Sequence, residues 1–375
     1  MSYPLLDLQA PMVLSVFKNS YLDARECFQH TLADIPQALI QQAERFVHPL
    51  TGPAGEELAC ETVLLSQSEQ PETILVVISG THGVEGTTGS AIQADILPLL
   101  VDVLQKSARL GVMLIHAMNP WGFAWVRRGD HQGIDLNRNF IDFDQPVPMN
   151  DDYAQYQSQL HEARWLEVSD FSGLWQGVPF ADFIEQITRG QYQDPTGLFY
   201  GGSAPSWSRQ VLETITRHAV FESAHNINVI DCHTGLGPYG YGEVINDHFP
   251  NTAGFDWVNR LYGANACAAL LGESCSAPKS GLIDYHWQKV IGGRGCFVTL
   301  EFGTSSVDKL ISELLREQIY QNTLSEGGER NIKAEPVRLM QAFFYPREAS
   351  WQQQVLFRGR QVVNMALQGV LGSGQ

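Results

Sequence analysis

The sequence predicts an α/β fold: a central mixed, largely parallel sheet with helices on both faces. Three observations carry this expectation. Continuous apolar runs of strand length occur at 73–80 (TILVVISG), 111–119 (GVMLIHAMN), 227–232 (INVIDC) and 296–302 (CFVTLEF). Such runs mark strands buried on both faces, which is how parallel sheets are built. Longer stretches with apolar residues at helical spacing alternate with them. Polar residues able to do chemistry follow directly after the runs, where open α/β sheets bind ligands.

Taken in order, residues 20–47 are expected to be helical. Tyr21, Ala24, Phe28, Leu32, Ile35, Leu39 and Phe46 recur at roughly helical spacing, with Pro36 breaking or restarting the stretch. Residues 60–66 read as a strand, and 73–80 as the first buried one. An amphipathic helix is expected over 87–106, from Thr87 and Thr88 through Ile92, Ile96, Leu100 and Leu104. Helical patterns return at 151–167, 208–223, 256–271, 307–323 and, as a C-terminal helix, 350–368. Residues 142–225 lack a strong buried strand and are rich in Gln, Asp, Gly and aromatics. They are read as an insertion or lid on one domain spanning 1–375.

Composition narrows the partners. The 375 residues carry 24 Lys and Arg against 41 Asp and Glu, a formal charge of −17. That opposes nucleic acid and anionic membrane as partners, since both need a basic footprint. No run of 18 apolar residues occurs, and the N-terminus, interrupted by Asp7, does not read as a signal peptide. The six cysteines form no C-x-x-C pair, and most are expected to be small buried hydrophobes. A cytoplasmic protein with reduced thiols is the expectation.

The chemistry clusters after the strands. TILVVISG runs into Thr81-His82-Gly83-Val84-Glu85-Gly86. A His-x-x-Glu pair on a turn can aim imidazole and carboxylate at one point, and both are zinc ligands. Gly83, Gly86 and Gly89 let the backbone turn sharply and come close to neighbours. His233, after the 227–232 run, completes a His₂Glu set, and three protein ligands leave a fourth position for water. Asp231 is expected to point away from His233. Glu301 ends the last buried run, where a carboxylate near such water can act as a general base. The stretch from Asn119 to Phe140 places Arg127, Arg128 and Arg138 in a loop-rich part of an otherwise acidic chain. Guanidinium groups bind carboxylates and polarise carbonyls, so an anionic substrate is expected. The chain has no G-x-S-x-G elbow, and its glycines near His82 do not form G-x-G-x-x-G.

Together, His82-x-x-Glu85, Asn119-Pro-x-Gly122-Phe, Gly133-x-Asp135-Leu136-Asn137-Arg138-Asn139-Phe140, the distant His233 and the strand-end Glu301 resemble the zinc carboxypeptidases of the M14 type. That superfamily includes the succinylglutamate desuccinylase and aspartoacylase group. SGTHGVEG, DLNRNF and DCHTGLGPYG-x-GE resemble its DUF2817 branch more closely, over residues 20 to 370. The resemblance implies a zinc carboxypeptidase-like fold and one Zn²⁺ per chain, held by His82, Glu85 and His233. It implies Glu301 as general base, and Asn137 and Arg138 as the holders of the substrate carboxylate. Arg128 best matches the oxyanion-stabilising arginine, with the adjacent Arg127 as the alternative. For the family's tyrosine, Tyr239, Tyr241 and Tyr285 are all candidates.

Three functions follow from this reading. The first is a zinc-dependent metallocarboxypeptidase, a hydrolase cleaving the amide bond next to a carboxylate-bearing amino acid in a small peptide. The second is an N-acyl amino acid deacylase using the same residues on an acylated amino acid. The third is a non-catalytic module that binds a carboxylate ligand. Other divalent metals also suit a His₂Glu set.

Overall fold

The computed structural model describes residues 5–324 and 330–372. Helix α1 (Tyr21–Ala33) begins where Ser20 Oγ accepts from the Asp23 amide, and it ends before Pro36. The chain then forms β1 (Ile40–Thr51) and β2 (Glu57–Ser66). The stretch expected to be helical through 47 is therefore a strand from Ile40. Residues 44–47 alternate in exposure, and Glu44 and Phe46 pair with Thr62 and Cys60 of β2. Pairing on a sheet edge outweighed a helical spacing that rested on few residues beyond Pro36.

Strand β3 (Thr73–Ser79), α2 (Gly86–Gln105), β4 (Leu110–His116) and the short α3 (Pro120–Ala124) follow. The 142–225 stretch contains α4 (Asp151–Leu160), α5 (Phe180–Thr188), α6 (Trp207–Ile215) and α7 (Ala219–Ser223). Next come β5 (Asn226–Tyr239), β6 (Gly242–Asn246), α8 (Ala253–Tyr262) and β7 (Ala266–Ala268). Here α8 stops earlier than the helical pattern suggested. Gly263 turns the chain at φ 53°, and residues 266–268 pair with β6 instead. The chain closes with α9 (Ile283–Ile291), β8 (Gly295–Gly303), α10 (Val307–Thr323), α11 (Glu335–Phe344) and α12 (Ala349–Gly372).

The strands form one sheet in the order β1-β2-β4-β3-β5-β8-β6-β7. The central four, β4-β3-β5-β8, are parallel to one another, and antiparallel pairings flank them. The alternation of side chains along each strand divides the core in two. Leu75, Val77, Ile230, Val298 and Leu300 face Ile92, Ile96 and Leu100 of α2 and Val355 and Val363 of α12. Ile74, Val76, Ile78, Val229 and Phe297 face α6, α7 and α9, through Leu212, Phe221 and Trp287. Helices α6 and α7 thus belong to the sheet core. Helices α4 and α5 pack instead with α10 and α11, through Tyr156, Phe183, Leu314 and Phe343. Cys60, Cys232 and Cys296 are buried as expected, whereas Cys27 and Cys267 are half-buried and Cys275 is exposed. Among the described residues no helix is long and apolar enough to cross a membrane.

Helix α12 is tied to α2 by a charge pair inside this core. The Arg360 guanidinium spans both Asp95 oxygens at 2.6 and 2.7 Å and also donates to the carbonyl of Ala10 at 2.6 Å. Both side chains are almost fully buried. Arg360→Met is expected to cost about 3–5 kcal/mol, because it strands the Asp95 carboxylate, and a urea melt measures that loss. A second expectation concerns acid. Burial lowers His248 to about 4 and His116 to about 3, and the His248 Nε2 accepts from the Phe297 amide. The unfolded chain takes up these protons near pH 6.5 while the folded one refuses them. Stability should therefore fall as pH drops from 6.5 toward 3–4. His248→Gln should flatten that slope in urea melts across the range; an unchanged slope would exclude His248 as a contributor.

Candidate functional site

The strand order reverses around β3. Its connection through α2 leads to β4 on one side, while β5 pairs on the other. Ligand crevices of open α/β sheets form at such a reversal, beyond the carboxyl ends of the strands. At the end of β3, Gly80 turns the chain at φ 71°, a conformation that favours glycine. Gly83 then lies so close to Gly122 that an added Cβ would stand 2.0 Å from its carbonyl carbon. Asn119 caps α3 by accepting from the Gly122 amide at 2.9 Å, which holds that contact surface in place.

This turn delivers His82 and Glu85, and β5 delivers His233. Their donor atoms all lie within 4.8 Å of one another and all three residues are buried. His82 Nδ1 is 2.9 Å from Glu85 Oε1 and 3.0 Å from His233 Nδ1, and His233 Nδ1 is 3.2 Å from Glu85 Oε2. The far nitrogen of each ring is engaged by a carboxylate. His82 Nε2 donates to Asp135 at 3.1 Å and His233 Nε2 to Asp231 at 2.8 Å. Asp231 is itself fixed by the Thr81 hydroxyl. The expectation that Asp231 points away is therefore corrected: residues two apart on a strand share a face. With their Nε2–H groups committed, the neutral form of either ring would turn an acceptor Nδ1 toward Glu85. Such a buried group of acceptors needs a positive charge among them. Burial alone would lower the His233 pKa, but Asp231 and Glu85 outweigh it and hold it well above its ordinary value. A proton or a divalent metal would meet that demand, and two imidazoles with one carboxylate fit a metal.

Glu301 lies beside this group. It pairs in register with His233 across β5 and β8, so the two share a face. Gly235, at φ 138°, lets β5 bulge so that the Leu236 amide donates to Glu301 Oε1 at 2.8 Å. Burial, and then the Glu85 carboxylate, push Glu301 up to about 7. Its proton is therefore loosely balanced near neutrality.

A cavity of about 490 Å³ opens over these residues and is also lined by Arg128, Asn137 and Arg138. Arg128 donates to Asp135 at 3.0 Å and to Glu85 at 3.1 Å. Its Nη2 makes no hydrogen bond among the described residues. Asn137 spends its Oδ1 on the Ile283 amide at 2.9 Å, leaving its NH₂ for a ligand. Arg138 is held by the carbonyls of Thr188 and Asn137. The arrangement suits an anionic ligand beside a metal.

Arg127 is not part of this group. Its Nε lies 3.1 Å from Glu317 and its Nη2 donates to Gln318 at 2.8 Å, so α10 draws the side chain away from the cavity. None of the three tyrosines lines the cavity. Tyr239 and Tyr241 are exposed, and Tyr285 donates to the Lys279 carbonyl at 3.0 Å. Sequence reasoning did not assign Asp135, Asp247 or Lys279. Asp135 could have been sought, because a ligating imidazole needs an acceptor for its second nitrogen. Asp247 and Lys279 line the cavity from loops without any distinguishing pattern.

A family model described as "Protein of unknown function (DUF2817)" matches residues 17–358. Among solved structures, carboxypeptidase A from Helicoverpa armigera is similar at 12% identity and a TM-score of 0.50, over 98% of this chain and 78% of that one. Bovine thrombin-activatable fibrinolysis inhibitor, solved with tick carboxypeptidase inhibitor, is 11% identical over 93% and 97%, with a TM-score of 0.45. An aspartoacylase family protein from Mesorhizobium loti is 15% identical over 74% and 65%, with a TM-score of 0.36. No curated protein matches. At these identities the likeness to the Helicoverpa enzyme concerns the fold, an α/β architecture of the carboxypeptidase A type.

Metal binding has a direct readout. Adding zinc to chelator-stripped protein at 100 times the dissociation constant is expected to stabilise it by about 2.7 kcal/mol. His233→Ala should abolish the stabilisation. Equal stabilisation of both proteins would place the metal elsewhere.

Proposed function

The chain belongs to the DUF2817 family, and from that premise we propose that it is a zinc-dependent hydrolase of the amide bond next to a carboxylate-bearing amino acid, acting as a metallocarboxypeptidase. The observation that carries the proposal is the convergence of His82, Glu85 and His233 with Glu301, Arg128, Asn137 and Arg138 on one cavity. Zinc held by the three ligands would supply Lewis acidity and activate water. Glu301 takes the proton of the attacking water and passes it to the leaving amine. Its backbone partner, Leu236, keeps one carboxylate oxygen fixed and the other available. Arg128 donates its remaining N–H to the oxygen that becomes negative as the carbonyl is attacked. The Asn137 amide and the Arg138 guanidinium hold the carboxylate of the departing amino acid.

A cavity of about 490 Å³ is in the range of small-molecule sites. That size also supports a second reading, hydrolysis of N-acyl amino acids by the same residues. Turnover of short peptides against acetyl- and succinyl-amino acids separates the two.

Glu301→Gln is expected to retain zinc and lose turnover by about 10²–10⁴. Retention of both would remove Glu301 as the base. Arg128→Ala is expected to lower kcat by about 10²–10³, and an unchanged kcat would remove its role at the oxyanion. Activity should rise with pH as Glu301 ionises. Burial sets that ionisation at about 7, and a bound cation moves it lower, so the acid limb should lie below about 7. A limb above that value would exclude Glu301 as its source.

A further inference from the structure

Arg127, turned away from the cavity, belongs to a second group of charges. One carboxylate oxygen of Glu317, on α10, lies within ion-pair distance of two guanidiniums, 3.1 Å from Arg127 Nε and 2.6 Å from Arg330 Nη1. All three side chains are about 95% buried. A buried triad of this kind is weak evidence for stability, because desolvation offsets attraction. Its backbone contacts point to something more specific.

Arg330 also donates to the carbonyls of Trp125 at 2.9 Å and Val126 at 3.0 Å. The next two carbonyls in the chain, of Arg127 and Arg128, accept from the amides of Val84 at 2.9 Å and Gly83 at 3.2 Å. Those amides lie between the ligands His82 and Glu85. Four successive carbonyls thus join Arg330 on one side to the metal-ligand turn on the other. Val126 sits within this turn at φ 54°, a conformation non-glycine residues adopt only when their surroundings impose it. The chain then presents Arg128 to Glu85 and Asp135.

We propose that the Arg127–Glu317–Arg330 triad is a positioning element: it presses the 125–128 turn against the His82–Glu85 turn and so sets both the metal ligands and the Arg128 guanidinium. The catalytic half of this inference rests on the hydrolase reading above; the metal half does not. Glu317 and Arg330 touch no substrate and act through the backbone of the turn. Glu317→Gln keeps the shape and removes the charge that gathers the two guanidiniums. Arg330→Lys keeps the charge but cannot reach Glu317 and both carbonyls with one ammonium.

The experiment measures zinc affinity by chelator competition, and kcat and KM by steady-state hydrolysis, on folded Glu317→Gln protein and on the native chain. Zinc affinity is expected to fall about tenfold, as for other residues that orient metal ligands indirectly. kcat should fall at least as far with KM within about twofold, and Glu317→Gln should add little to the loss already caused by Arg128→Ala. Native zinc affinity and kcat, with only a lowered melting temperature, would reduce the triad to a structural role and overturn the proposal. If Glu317→Gln does not fold, Arg330→Lys is read by the same criteria. If the native chain binds zinc but hydrolyses neither peptides nor acyl amino acids, the hydrolase reading fails, and zinc affinity alone decides the triad.

Discussion

Burying several hydrogen-bond acceptors against one another is unfavourable unless a positive charge sits among them, and the carboxyl edge of this sheet is organised around that constraint. Asp135 and Asp231 commit the outer nitrogens of His82 and His233, so a positive charge has to be added among the inner nitrogens and Glu85. Glu85 stands against both, and Arg128 reaches it from one side only. Asp135 serves the imidazole and the guanidinium at once. The position of Arg128 is therefore coupled to the orientation of His82 through a single carboxylate.

The cavity carries charges of both signs. The formal charge is −17, yet Arg128, Arg138 and Lys279 line one cavity. Burial, and then Arg138, lower Lys279 to about 8, so that cation is the easiest of the three to neutralise. Glu85, Glu185, Asp247 and Glu301 line the same cavity, so the cations act as individual anchors for an anionic group rather than as a positive field.

The buried strands were legible because strand burial on both faces leaves a run with no polar interruption, as in residues 74–78. The ligands were legible because they directly follow such runs. Strand β1 was misread because Phe46 fits a helical spacing as well as a strand, and only its partner β2 decides. Strands β6 and β7 are short, and the pairing of β6 with β8, which carries β7 at the edge, depends on residues far away in the chain. Asp231 was misjudged on a point of pleat geometry rather than for lack of signal. Arg127 and Arg128 could not be told apart in sequence. Their opposite directions depend on Glu317 of α10 and Asp135, which no local spacing reveals.

The cavity's apolar wall and its reactive residues come from different parts of the chain. Phe180, Ala181 and Ile184 of α5 and Leu310 and Leu314 of α10 form wall, whereas the candidate ligands and base stand on the sheet and the turn after β3. Helix α5 packs with α4, α10 and α11 rather than against the strands. Drift in that helix can therefore reshape which molecules fit while the carboxylates behind the histidines stay untouched. For a lineage of such proteins, this separation lets substrate range diversify by substitution in one helical layer, with the inherited chemistry of the other left intact.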